Sequence, residues 1–125
     1  GQIDKAGAPY IFHPLRVMLA VTTPYERMAA VLHDIVEDTT VSLRDLVNEG
    51  FPADVLDAVD VLTKRTGDSR LEAAHRALGN PIARAVKLAD VRDNMDLCRI
   101  SNPGEKDFAR LSEYQQVKEL LERGN

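Results

Sequence analysis

Helix stops and starts recur along this chain, at Thr22-Thr23-Pro24, Ser42, Gly50-Phe51-Pro52, Ser69, Gly79-Asn80-Pro81 and Pro103-Gly104, and helical period fills the intervals. Proline lacks the amide proton that a helix interior needs, and a small polar residue ahead of a helix accepts from its free amides. Every helix here must therefore be short, and several must stack to bury their apolar stripes. His13-Pro14 opens the first, with Pro14 at its first position and Leu15, Met18 and Leu19 as its apolar face. Thr23, Pro24 and Glu26 form a capping box for the second, which buries Met28, Val31, Leu32 and Ile35. Ser42 caps a third that Gly50 stops, and Pro52 begins a fourth with Val55, Leu56, Val59 and Leu62 inward. After a loop from Arg65 to Asp68, Ser69 and Glu72 start a fifth, with Leu71, Ala74, His75 and Leu78 on one face. Asn80-Pro81 starts a sixth that runs to about Met95, and an amphipathic helix around Phe108, Leu111 and Leu121 follows a loop from Ile100 to Lys106. No stretch alternates as a strand would. The expected fold is all-α, a bundle of about seven short helices in one domain over residues 1–125.

The second helix carries an unusual load. Leu32-His33-Asp34-Ile35-Val36-Glu37-Asp38 sets four titratable groups around two apolar residues. On a helix, His33 and Glu37 share a face, as do Asp34 and Asp38. That is a poor surface pattern and a good inner wall for a cation and a reactive water. A His-Asp pair alone is common by chance, and acidic residues at a helix end are usually solvated. The two carboxylates one turn later favour a site.

Two other positions extend it. His13 stands at a helix start, where its ring can project towards a neighbouring helix. Asp90, in Val86-Lys87-Leu88-Ala89-Asp90-Val91-Arg92-Asp93-Asn94, shares a partly apolar face with Asn94. A carboxylate there needs a partner, which a salt bridge to Lys87 or Arg92 would supply. His75, with no carboxylate at i±4, reads as a packing or surface histidine. His13, His33, Asp34 and Asp90 together offer two imidazoles and two carboxylates. Such a set suits Mn²⁺, Fe²⁺, Co²⁺, Ni²⁺ or Zn²⁺ in an open, reactive site better than a closed structural zinc site.

Composition excludes little but agrees. A net charge of −4 without a basic stripe argues against nucleic-acid binding. No apolar run nears the roughly 20 residues of a membrane helix, and no signal peptide is visible. The single cysteine, Cys98, can form no internal disulfide, which fits the cytoplasm. Its simplest role is a small buried apolar side chain. Nothing in the sequence fixes an oligomeric state.

His33-Asp34-Ile35-Val36-Glu37-Asp38-Thr39, with Pro9-Tyr10-Ile11-Phe12-His13-Pro14 upstream and Val86-Lys87-Leu88-Ala89-Asp90 followed by Asn94 downstream, resembles the HD-domain phosphohydrolases. Within them it is similar to the hydrolase half of the RelA/SpoT family in its small stand-alone form, from Gly1 to about Tyr114. The resemblance implies an HD-domain bundle and a Mn²⁺ ion on His13, His33, Asp34 and Asp90. It implies that Glu37 and Asp38 handle the attacking water and its protons. The implied reaction removes the 3′-pyrophosphate from guanosine tetra- or pentaphosphate, with degradation the only activity expected. It also implies a helix ahead of Gly1.

Two departures stand out. Where relatives carry Arg-Lys before the Pro-Tyr-Ile element, the arginine stacking on guanine, this chain has Asp4-Lys5; Lys5 remains a candidate for phosphate. Where relatives have Arg-Leu-His-Asn, it has Val91-Arg92-Asp93-Asn94, and Asn94 remains a candidate for the nucleoside. Hydrolysis of another nucleotide phosphate is the alternative reading. A metal-bound nucleotide sensor is a rival that leaves Glu37 and Asp38 unused, and a helical interaction module leaves the whole cluster unexplained.

Overall fold

Local capping sets most of the helix boundaries. The computed structural model describes residues 12–99 and 105–123, and among these there are seven helices and no strand. They are α1 (Phe12–Ala20), α2 (Pro24–Asp38), α3 (Leu43–Asn48), α4 (Ala53–Leu62), α5 (Arg70–Leu78), α6 (Pro81–Arg99) and α7 (Glu105–Arg123). Thr23 accepts from the Glu26 amide at 3.1 Å while the Glu26 carboxylate accepts from the Thr23 amide, the reciprocal pair expected of a capping box. Ser42 and Asp45 do the same for α3, and Ser69 accepts from the Glu72 amide to start α5. Asn80 Oδ1 accepts from the Ala83 amide ahead of α6. Gly50 closes α3 at φ +83°, a left-handed conformation that glycine adopts without a Cβ clash.

Four boundaries differ from expectation, the smallest at α4, which begins at Ala53 with Pro52 as the residue just ahead of it. α1 begins at Phe12, so Pro14 is the third helical residue; its missing amide proton costs nothing there, because first-turn amides have no intrahelical acceptor. α6 runs to Arg99 rather than about Met95, and α7 already includes Glu105 and Lys106. Asp4, Lys5, the side chain of Cys98 and the region ahead of Phe12 lie outside what the structure describes.

α6 is the hub: it packs on α1, α2, α4, α5 and α7, while α2 also packs on α1 and α4. α3 sits on α4. The core where they meet is rich in small residues. Ala29 and Ala30 of α2, Ala58 of α4, Ala74 and Ala77 of α5 and Ala83 of α6 are buried beside Val55, Val59, Val86, Val91, Val117 and Leu121. Alanine lets helix backbones approach closely, so these positions set the packing distance between axes. The larger apolar residues read as inward are partly displaced by this. Leu15 and Leu19 are exposed and Val17 is the buried apolar residue among those described in α1, Met28 and Phe108 are exposed, and His75 lies at the surface.

Two arginines tie the ends of elements together. Arg76 donates to the carbonyls of Val61 and Thr63 at the end of α4 and, at 2.8 Å, to Asp68 Oδ2. Arg84 donates to the carbonyls of Leu121 and Glu122, the unsatisfied acceptors at the end of α7. The first of these fixes the α4–α5 loop against α5, and that loop forms one wall of the cavity described next.

Candidate active site

A cavity of about 640 Å³ opens between α1, α2, α6, the α4–α5 loop and α7. Its lining includes His13, His33, Asp34, Glu37, Asp90 and Asn94, residues far apart in sequence and brought together by the packing of α1 and α2 on α6. Asp38 is the exception. It is exposed, does not line the cavity, and reaches the site only as a charge acting on Asp34. Glu37 is long enough to lean back one turn to His33, as helical side chains tend to do, whereas Asp38 ends α2 beyond the cavity rim.

His13 is buried, only 3% exposed, and both ring nitrogens meet carboxylates. Nε2 donates to Asp90 Oδ1 at 2.8 Å and Nδ1 to Asp93 Oδ2 at 2.5 Å. Burial works against the ring's positive charge, but the bonds and charges of Asp90 and Asp93 overcome it and raise the His13 pKa to about 9. Asp90 meets Lys87 Nζ only at 3.9 Å, and Arg92 pairs elsewhere, with Glu122 at 3.0 Å. The partner that Asp90 required is therefore chiefly an imidazole. Burial would raise the Asp90 carboxyl, yet His13 and Lys87 hold it below the ordinary range.

His33 is paired in the same way along α2. Its Nε2 lies 3.0 Å from Glu37 Oε1, and its Nδ1 lies 3.9 Å from Asp34 Oδ1. Burial opposes its charge, and Glu37, Asp90 and Asp34 together raise its pKa. For Glu37, burial pushes the carboxyl up but His33 and the Lys64 backbone amide pull it lower still, so it is ionised at neutral pH. Asp34 fares worst. Burial, with Asp90 and Asp38 nearby and despite His33 and His13, lifts its carboxyl to about 6.

Sequence reasoning missed the rest of the lining. Lys64, Asp68, Ser69 and Arg70 come from the α4–α5 loop and the start of α5, and Glu113 and Tyr114 come from α7. The Arg70 guanidinium lies 4.9 Å over the Tyr114 ring and pairs with Glu113. No periodicity marks these residues, since a loop lysine and a helix-start arginine look like ordinary surface cations. Lys87, read only as a salt-bridge partner, also faces the cavity.

No three His, Cys, Asp or Glu side chains among the described residues stand ready as a metal cage; the donors are engaged pairwise instead. Their chemistry nonetheless fits a divalent cation. Two donors bound at right angles to one ion with bonds of about 2.0–2.2 Å lie roughly 3 Å apart, and His13 Nε2 and Asp90 Oδ1 are 2.8 Å apart. Asp34 and Asp90 repel one another in a half-buried setting, and a cation between them would remove that penalty. The lining carboxylates Asp34, Glu37, Asp68, Asp90 and Glu113 would also repel a phosphate unless positive charge were added beside Lys64, Arg70 and Lys87.

An all-α bundle with a His-Asp pair and a distant aspartate facing one cavity defines an HD domain. A solved structure described as a metazoan ortholog of SpoT that hydrolyses ppGpp superimposes with a TM-score of 0.74 at 28% identity, over 98% of this chain and 76% of that one. The human guanosine-3′,5′-bis(diphosphate) 3′-pyrophosphohydrolase MESH1 is 35% identical over 89% of this chain and 68% of its own length. The Xenopus tropicalis MESH1 is 33% identical over 97% and 73%. This chain belongs to the MESH1 family of guanosine-3′,5′-bis(diphosphate) 3′-pyrophosphohydrolases. It spans 62% of the Drosophila melanogaster MESH1 and only 10% of the Borreliella burgdorferi enzyme of the same name. No family model matches the chain.

Proposed function

We propose that this protein is a divalent-metal phosphohydrolase that removes the 3′-pyrophosphate from guanosine tetra- or pentaphosphate. The observation that carries the reading is the one cavity that collects His13, His33, Asp34, Asp90 and Glu37 with Lys64 and Lys87. His13, His33, Asp34 and Asp90 would hold the ion, with Mn²⁺ the first choice for this mixed nitrogen and oxygen set. Bound there, the ion supplies Lewis acidity at phosphorus and lowers the pKa of water.

The chain's own residues do the rest. Glu37, ionised and directed into the cavity, accepts the proton of the attacking water. Water adds at the 3′-phosphorus, the bond to O3′ breaks, and that oxygen takes a proton, leaving a 3′-hydroxyl and free pyrophosphate. Lys64 and Lys87 neutralise the phosphates, and Asn94 offers an amide to the nucleoside from the same wall. Lys5 is assigned to phosphate on sequence grounds. Asp38 contributes through its charge on Asp34 rather than by contact. The substrate is a small nucleotide, and the cytoplasm is the compartment we assign to its hydrolysis. No helix among the described residues is long and apolar enough to cross a membrane.

The test incubates purified protein with guanosine 3′,5′-bis(diphosphate), with Mn²⁺ or with chelator, and separates products by anion exchange. GDP and pyrophosphate formed only with metal are expected. Faster hydrolysis of a different nucleotide phosphate would transfer the assignment to that substrate, and no hydrolysis of any nucleotide would overturn the catalytic reading.

A further inference from the structure

α6 presents two aspartates to one ring, and they do different things. Asp90 lines the cavity, whereas Asp93 does not and approaches His13 from behind. A buried imidazole cannot leave its second nitrogen without a partner, because burying an unsatisfied polar group is costly. Asp93 Oδ2 supplies that partner at 2.5 Å from Nδ1. Asp93 is itself gripped from α1, where Arg16 Nε donates to Oδ1 at 2.6 Å and Arg16 Nη2 to Oδ2 at 3.1 Å. This two-point grip fixes the plane of the carboxylate as well as its position. Arg16 lies three residues after His13, so one turn of α1 carries both the ring and the clamp on its orienting group.

We propose that Asp93, clamped by Arg16, is a positioning residue that presents His13 to the divalent cation. The inference rests on the metal reading given under Proposed function. Once a cation displaced the Nε2 proton, a carboxylate on Nδ1 would keep the remaining proton there and leave the Nε2 lone pair for the ion beside Asp90. Its negative charge makes the ring a better donor to a cation, as outer carboxylates do for metal-bound histidines. The clamp has a second consequence. With both oxygens engaged, Asp93 cannot swing into the cavity and compete for the ion.

A merely structural Asp93–Arg16 pair, tying α6 to α1, would change stability but leave the metal affinity of the folded protein alone. The test therefore measures Mn²⁺ and Co²⁺ affinity of the full chain by competition with a chromogenic chelator, and follows the Co²⁺ absorption spectrum. Melting of the metal-free protein is the control for folding. Asp93→Asn keeps shape and an acceptor oxygen but loses charge, and is expected to weaken binding about tenfold; Asp93→Leu is expected to weaken it by roughly 10–100-fold. Arg16→Gln, which leaves Asp93 in place but unclamped, is expected to have a smaller effect in the same direction, with a shifted Co²⁺ spectrum. Should Asp93→Leu fail to fold, Asp93→Asn and Arg16→Gln decide the question. Folded variants binding both ions as tightly as the unmodified protein would overturn the positioning role while leaving the metal reading intact. An unmodified protein that binds neither ion would overturn both.

Discussion

Raising the pH should weaken the metal-free protein and strengthen its grip on a cation, and His13 dominates both trends. Without metal, both ring nitrogens donate to carboxylates, and the pKa rises from 6.5 to about 9. A folded-state pKa above the unfolded value gives stability that is fully present below about pH 6.5 and lost as the pH climbs through about 9. The amount is of order 3 kcal/mol. For a 125-residue chain that is roughly 10 °C of melting temperature. His33, also raised, acts with the same sign. Asp34, raised from 3.8 to about 6, favours the folded protein only while protonated, so its loss is nearly complete before the window opens. A cation needs the unprotonated ring. At pH 7 it must displace a proton held with a pKa of about 9, which weakens apparent affinity by about 50-fold relative to pH 9, where half the rings are already unprotonated. Melting curves between pH 6.5 and 9 under nitrogen, with chelator and with Mn²⁺, read both trends. A flat metal-free curve, or a metal stabilisation that shrinks as pH rises, would refute the reasoning.

Glu37→Gln keeps the shape of the cavity wall but removes its proton acceptor; turnover is expected to fall by roughly 10²–10⁴-fold with metal content unchanged in the same preparation. Asp38→Asn, at an exposed position outside the cavity, should lower kcat far less than Glu37→Gln, and equal losses would restore a shared role for the pair. Asp34→Asn should abolish tight Mn²⁺ binding measured by elemental analysis, while relieving the half-buried charge and so raising the melting temperature of the metal-free protein at neutral pH. Leu121→Ala removes a fully buried side chain where α7 meets the core, and denaturant unfolding should show a loss of about 2–5 kcal/mol.

Much of the helical framework was legible because capping is local chemistry. Thr23 with Glu26, Ser42 with Asp45, Ser69 with Glu72 and Asn80 ahead of Pro81 need only neighbours three residues away, and all of them act as their residue types dictate. The candidate site residues His13, His33, Asp34, Glu37 and Asp90 were legible for another reason. Imidazoles and carboxylates set on the partly apolar faces of helices need partners, and clustering them at i and i+4 makes a shared polar cavity the economical way to supply those partners.

Tertiary packing decided the rest. Reading faces from the large apolar residues put Leu15, Leu19 and Met28 inside, whereas close helix contacts are made by alanines that a periodicity count passes over. Adjacent in sequence, Glu37 and Asp38 were separated because side-chain length and the end of the α2 wall, not composition, determine which carboxylate reaches the cavity. Lys64 and Arg70 reach the cavity lining only because the loop between α4 and α5 is fixed by Arg76. Asp93 looked like a departure from a motif, since its two partners lie on another helix, 77 and 80 residues away. The sequence alone determined which groups had to find partners and where the capped helices α2, α3, α5 and α6 began. Only the folded chain determined the partners, because a hydrogen bond across such a separation depends on how α1 and α6 pack and leaves no local pattern to read.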